Sequence, residues 1–337
     1  MSLNITCNEF EQYTKLSDPS LTAISGLLLQ AVQQQPNSGL HFISGEKAEK
    51  STLITYPELL VEAQSILGGI RSHAPTPNIH VILLLEHAHD FIPAFWACVL
   101  GGYVPCPILP IRNDPERWEK HLIHVNTLLE NPLLISTKSL QRELTNISDV
   151  IDLDVLRNAV PDETIYQAEG EDPAVFMLTS GSTGNSKAVM ITHGNLLASM
   201  KGKNERQCLT AEDTTLNWIS FDHLAALSEA HLLPLSVGAT QVHVPPAKIL
   251  AEPLLFVRLI SDYRVAMTFT PNFLFGQINA ALQSGHTDTL GLQNKPLDLP
   301  HLRQIISGGE ATVVETGRTF LKLLAPYGLA SNTIWHD

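Results

Sequence analysis

Apolar residues along this chain fall into two periods, and segments of the two kinds alternate. Leu21 to Gln34 and Pro57 to Arg71 carry their apolar residues at helical spacing, and Leu53-Ile54-Thr55-Tyr56 forms a short segment just before the second of these. Ile79 to Leu85 is apolar except for His80, rich in β-branched residues and too short for an ordinary helix, which predicts a buried strand. Asp90 to Leu100 is apolar all round and predicts a buried helix, ended by Gly101-Gly102. Further short strands are expected at Leu133–Ser136, Ala174–Leu178, Ala188–Ile191, Gln241–Val244, Val265–Phe269 and Arg303–Ile306. This alternation predicts an α/β fold of layered, parallel-rich sheets packed with helices. Periodicity lapses from Asp149 to Asp172, where acidic residues accumulate. The expected organisation is a first α/β subdomain over 1–150, an acidic surface connection over 151–172, and a second α/β subdomain over 173–337. No internal repeat is visible.

Composition supports a sizeable core: of 337 residues, 44% are hydrophobic and 16% charged. No apolar run approaches the roughly 20 residues of a membrane span, and Met1 to Thr22 has no signal-peptide core. The net charge of −13, from 21 basic and 34 acidic residues, argues against a nucleic-acid surface but leaves room for a locally bound anion. Cys7, Cys98, Cys106 and Cys208 form no C-x-x-C pair and are expected to be buried free thiols, consistent with a cytoplasmic setting. The 14 histidines are expected to be scattered on the surface. Their closest pairs, His87-x-His89 and His121-x-x-His124, lack a third ligand at zinc-site spacing.

The densest chemistry lies at 178–193, Leu-Thr-Ser-Gly-Ser-Thr-Gly-Asn-Ser-Lys-Ala-Val-Met-Ile-Thr-His. Gly181 and Gly184 let the backbone turn several N–H groups toward one point, an arrangement that binds anions. The hydroxyls of Thr179, Ser180, Ser182 and Thr183 add donors, and Lys187 adds a full charge. The chemistry that fits is a nucleotide triphosphate. Ser186 and Ala188 stand where a Walker A loop needs glycine and Ser/Thr, so that class is excluded, and the G-x-G-x-x-G dinucleotide spacing is absent. Thr192-His193-Gly194-Asn195 reads as a helix start beyond the second strand.

Thr179-Ser180-Gly181-Ser182-Thr183-Gly184, then Lys187, then Thr192-His193-x-Asn195, resembles the signature loop of the acyl-adenylate-forming enzymes. These include acyl-CoA synthetases, fatty-acyl-AMP ligases and the adenylation domains of nonribosomal peptide synthetases. The family usually has Pro-Lys-Gly where this chain has Ser186-Lys187-Ala188. The motif at Leu53 to Leu59 and the run Ala97 to Pro105 resemble two further core motifs, both read here as structural. The resemblance implies ATP and Mg²⁺ as cofactors, a small carboxylic acid as substrate, and a carrier-protein phosphopantetheine or CoA thiol as acceptor. Thr179 is the candidate Mg²⁺ contact, and Thr179 to Gly184 with Lys187 would hold the phosphates.

The same resemblance places an acid pocket. Acyl and aryl ligases of the family carry a histidine fifteen residues before the glycine that ends the pocket helix, and His223 lies at that distance from Gly238, with Trp218 upstream. Amino-acid-activating domains place an aspartate two positions later, where this chain has Ala225. A buried ammonium without a counter-charge is costly, so Ala225 points to an acid without an α-amine. Asp222 lies three residues too early and reads foremost as a helix N-cap. Thr268 to Phe273, with Asn272, resembles the turn after the pocket helix. Ser307-Gly308-Gly309-Glu310-Ala311 resembles the adenine-binding turn, with Gly308 to Ala311 toward adenine and Ser307 toward the acid.

The sequence stops at Trp335-His336-Asp337, just before an aromatic-Gly-x-Thr-Glu turn and the small C-terminal domain with its lysine would follow. The expectation is therefore acid adenylation by a longer parent, with no complete catalytic set in these residues alone. Robust ATP–pyrophosphate exchange by this segment would overturn it. An amino-acid-adenylating domain and a non-catalytic nucleotide- or partner-binding module stay open as alternatives.

Overall fold

The structure is a computed structural model that describes residues 21–45, 48–143, 149–179, 186–284 and 296–336. Its strands are β1 (Gly39–Ser44), β2 (Lys50–Thr55), β3 (His80–Leu84), β4 (Val104–Ile108), β5 (Leu133–Ser136), β6 (Val150–Asp152), β7 (Pro173–Thr179), β8 (Lys187–Thr192), β9 (Thr214–Asn217), β10 (Thr240–His243), β11 (Met267–Phe269), β12 (Gln304–Ser307) and β13 (Ile334–His336). They form a seven-stranded sheet in the order β13-β12-β11-β9-β10-β1-β2, a four-stranded sheet in the order β4-β3-β5-β6, and the two-stranded β7-β8. The four-stranded sheet is parallel throughout. The larger sheet is parallel except for the β1–β2 hairpin, and β7–β8 is antiparallel. The α/β class read from the alternation of periods is the observed one.

Local signals set several boundaries. The helix Tyr56–His73 starts in a capping box, with the Thr55 side chain accepting from the Glu58 backbone N–H and Glu58 accepting from Thr55 N–H at 2.8 Å. Its face of Leu59, Ala63, Ile66, Leu67 and Ile70 is buried. The helix Ala88–Gly101 is buried nearly all round and stops at Gly102, whose φ of 74° is a left-handed cap conformation that glycine adopts without strain. A Cβ there would fall 2.5 Å from the Tyr166 ring.

The ladders cross the boundary expected near residue 150. β1 and β2 join the larger sheet through β1–β10, so residues 39–55 pair with the second half of the chain. The stretch expected as a bare connection begins with β6 and the helix Leu153–Arg157, which buries Leu153 and Leu156. Arg157 ties that helix to earlier parts of the chain, pairing with Asp90 at 2.8 Å and Glu62 at 2.7 Å.

Two expectations about single residues are corrected. Cys98 and Cys106 are buried free thiols, but Cys208, half-buried at the C-cap of the helix His193–Gln207, is disulfide-bonded. The histidines are not all on the surface: His193, His231 and His243 are buried, because each finds a polar partner within the core. Among the described residues no helix is long and apolar enough to cross a membrane, and no group of three or more His, Cys, Asp or Glu is placed to hold a metal.

Candidate functional site

In open parallel sheets, ligands bind beyond the carboxyl ends of the strands, where loops diverge. Here those ends carry the residues singled out from sequence. β9 leads into Trp218–His223, β11 into Thr270–Asn272, and β12 into Ser307–Ala311. Trp218 is buried, donates its indole N–H to the Phe269 carbonyl at 3.2 Å, and meets the Phe273 ring edge-on at 6.1 Å. It thereby ties the β9 and β11 loops together.

Those two loops and the β12 turn also brace one another. Asn272 Oδ1 accepts from the Val313 N–H at 3.1 Å, and Glu310 Oε1 accepts from the Phe273 N–H at 2.5 Å. The Glu310 carboxylate thus sits at the N-terminus of the helix Asn272–Gln283, where the helix dipole favours negative charge. Gly309 adopts φ 81°, and among the described residues nothing lies within 4 Å of where its Cβ would be, so they leave one face of the turn open. Ser307 is buried and its hydroxyl has no partner among the described residues.

His223 opens the pocket helix from an exposed position and makes no side-chain cap. Asp222 does not cap it either, contrary to expectation. The capping position falls to His223, and one oxygen of the Asp222 carboxylate is buried without a partner among the described residues. Ala225 is half-buried on the first turn. The helix then takes a π turn over Ser228–Leu232 before resuming at Leu233–Ser236. Such insertions re-aim side chains and are frequent at functional sites. This one buries Glu229, which sequence reading missed because it lies in an otherwise apolar run. Its carboxylate pairs with Lys203 and accepts from Gln207 Nε2 at 3.2 Å, and it lines a small internal space with Thr215, Thr268 and Ile306.

The candidate phosphate loop falls between β7 and β8, which pair as antiparallel arms. Thr179 and Lys187 are directly paired in the β7–β8 register, and both side chains are exposed. Lys187 makes no ion pair among the described residues. Ser180, Gly181, Ser182, Thr183 and Gly184 lie outside the described residues.

A second unforeseen feature is a buried polar chain beneath a small cleft at the ends of β1, β9 and β10, lined by Phe42, His89, Asn217, Phe221 and His243. Trp96 Nε1 donates to His231 Nε2 at 2.9 Å, so the His231 proton sits on Nδ1 and is given to Gln241 Oε1 at 2.8 Å. His243 donates from Nε2 to the same oxygen at 3.2 Å. Gln241 Nε2 donates to the Tyr56 hydroxyl at 3.1 Å, which in turn donates to the Ala239 carbonyl at 2.5 Å. Every donor meets an acceptor only while both rings are neutral. Burial pushes His231 down from 6.5 to about 4 and His243 well below its usual value.

Comparison with known proteins agrees with the arrangement. Residues 29–336 match the family described as AMP-binding enzyme. The chain belongs to that family. It is 35% identical to the nonribosomal peptide synthetase acyN of Ascocoryne sarcoides over 90% of its length, and 35% identical to the microperfuranone synthase of Emericella nidulans over 91%. It spans 33% of each of those proteins. Among solved structures it resembles the adenylation domain of a keto acid-selecting nonribosomal peptide synthetase module bound to keto acyl adenylate, with a TM-score of 0.85 and 28% identity. That match covers 94% of this chain and 57% of the other. The McyG A-PCP structure complexed with phenylalanyl-adenylate gives a TM-score of 0.85 at 29% identity, over 94% of this chain and 57% of that one. The fold is the N-terminal core of an adenylate-forming enzyme.

Proposed function

We propose that this AMP-binding chain carries the ATP- and acid-binding part of an enzyme that converts a carboxylic acid without an α-amine, an acyl, aryl or keto acid, to its acyl-adenylate. The acceptor in the longer protein would be a thiol, on a carrier-protein phosphopantetheine arm or on CoA. The acid's carboxylate attacks the α-phosphorus of ATP in line, and pyrophosphate leaves with its charge to be neutralised. Thr179 to Gly184 and Lys187 take that role, and the Lys187 ammonium, exposed and without an ion pair among the described residues, fits it. The open face of Gly309, with Gly308, Glu310 and Ala311, suits a flat adenine, while Glu310 holds the turn in place through Phe273. His223, Asn272 and Ser307 border the acid. Mg²⁺, when bound, would screen the phosphate oxygens; Thr179 offers one hydroxyl to it, in keeping with an ion that needs few protein ligands beside phosphates.

Similarity alone does not choose the acid, since equally similar structures hold a keto acyl and a phenylalanyl adenylate. The observation that carries the amine-free reading is the charge state of the pocket helix. Ala225 offers no carboxylate, and the buried Glu229 is already neutralised by Lys203. An incoming ammonium would meet no free counter-charge on those turns. The amino-acid reading rests on Asp222, whose buried oxygen lacks a partner among the described residues. ATP–pyrophosphate exchange by the full-length protein, run with amino, keto, aryl and fatty acids, separates the two. Exchange is expected with an amine-free acid and is expected to survive Asp222→Asn. Exchange with amino acids that Asp222→Asn abolishes would assign the pocket to them instead.

A further inference from the structure

The limb of the hairpin that brings the chain back from the phosphate loop begins at Ser186, where the resembled family has proline. Proline fixes φ and stiffens such a limb; serine does not. The structure supplies a different restraint. The helix Pro115–Leu128 lies under the hairpin, and Trp118, Val125 and Leu129 form an apolar cluster against which Phe176, Leu178 and Ala188 pack. The Ala188 methyl, where the family has glycine, is part of that contact. From the same helix the half-buried His124 reaches the Ser186 carbonyl, Nε2 to O at 2.7 Å. A carbonyl only accepts, so His124 carries its proton on Nε2 and donates. Among the described residues this is the one side-chain hydrogen bond to Ser186 or Lys187. Val189 and Met190, successive residues of β8 and so on opposite faces of it, are both exposed.

We propose that His124 is a positioning residue for the phosphate grip: by holding the Ser186 carbonyl it fixes where the Lys187 ammonium stands, in place of the missing proline. The proposal rests on the phosphate-binding reading of the loop. Loss of one neutral hydrogen bond that orients a charged group predicts about a tenfold weakening of ligands that need that group.

The test is calorimetric titration of this chain with MgATP, with inorganic pyrophosphate and with adenosine, for wild type, His124→Ala, His124→Gln and Lys187→Ala. His124→Ala is expected to weaken ATP and pyrophosphate about tenfold and leave adenosine unchanged. His124→Gln, whose amide can still donate, is expected to recover most of the loss. Wild-type affinity in His124→Ala, beside a loss in Lys187→Ala, would overturn the role of His124 and leave the phosphate reading intact. Equal loss for adenosine, or no recovery by glutamine, would show general damage to the fold and overturn it as well. Unchanged binding by Lys187→Ala would remove the phosphate reading itself, in an arm separate from His124.

Discussion

Lys187→Ala is expected to weaken MgATP binding by about one to two orders of magnitude, because charge-assisted hydrogen bonds to an anion contribute about 1.5–3 kcal/mol. The lysine is exposed on β8 and makes no ion pair among the described residues, so little else depends on it. Its removal should leave thermal stability within about 0.5 kcal/mol of wild type, as for other exposed substitutions. Lys187→Arg keeps the charge but changes its shape, and should recover only part of the affinity. Titration of the three proteins at one fixed salt concentration measures this, and the wild-type advantage should shrink as salt screens the pair. A fall in ATP affinity accompanied by an equal fall in stability would point to a structural role.

The second large effect concerns the buried chain from Trp96 to Ala239. His231→Ala would leave the Trp96 indole N–H without its acceptor and Gln241 Oε1 short of one donor, besides opening a cavity. Together these are expected to cost about 3–5 kcal/mol of folding stability, measured by urea unfolding. The network also predicts a pH dependence. An unfolded histidine binds a proton below about 6.5, whereas folded His231 does so only near 4. Between those values the unfolded state holds more protons, so stability is full above pH 6.5 and falls as the pH drops toward 4. His231 alone accounts for about 3 kcal/mol of that fall, and His243 adds to it in the same direction. In ¹⁵N spectra, the His231 ring should stay neutral and protonated on Nδ1 through pH 5. An imidazolium signal at pH 6 would contradict the donor and acceptor assignment.

Much of the fold was legible because its signals are local. The β5 strand and the stop at Gly101-Gly102 follow from runs of a few residues, and so does the capping box at Thr192, where the side chain accepts from Asn195 N–H. The parallel pairing of β1 with β10 was not legible, since it joins residues some two hundred positions apart, Leu40 with Gln241. Nor was the bracing of Asn272 by Val313 and of Glu310 by Phe273, which gives two expected ligand contacts a structural task. Glu229 was hidden by the apolar run around it, and a helical period read straight through Ser228–Leu232 misplaces the side chains beyond the π turn. His124 belongs to no motif, and only the carbonyl it meets across 62 positions reveals it.

On the function proposed above, this pocket receives an adenylated acid without an amine. The most direct measurement is the affinity of this chain for two adenylate mimics that differ in one group, an arylpropanoyl sulfamoyl-adenosine and its α-amino counterpart. The amine-free mimic is expected to bind at least about tenfold more tightly, since the ammonium must be desolvated with Ala225 opposite and Glu229 already paired. Equal or tighter binding of the amino mimic, lost in Asp222→Asn, would contradict the claim.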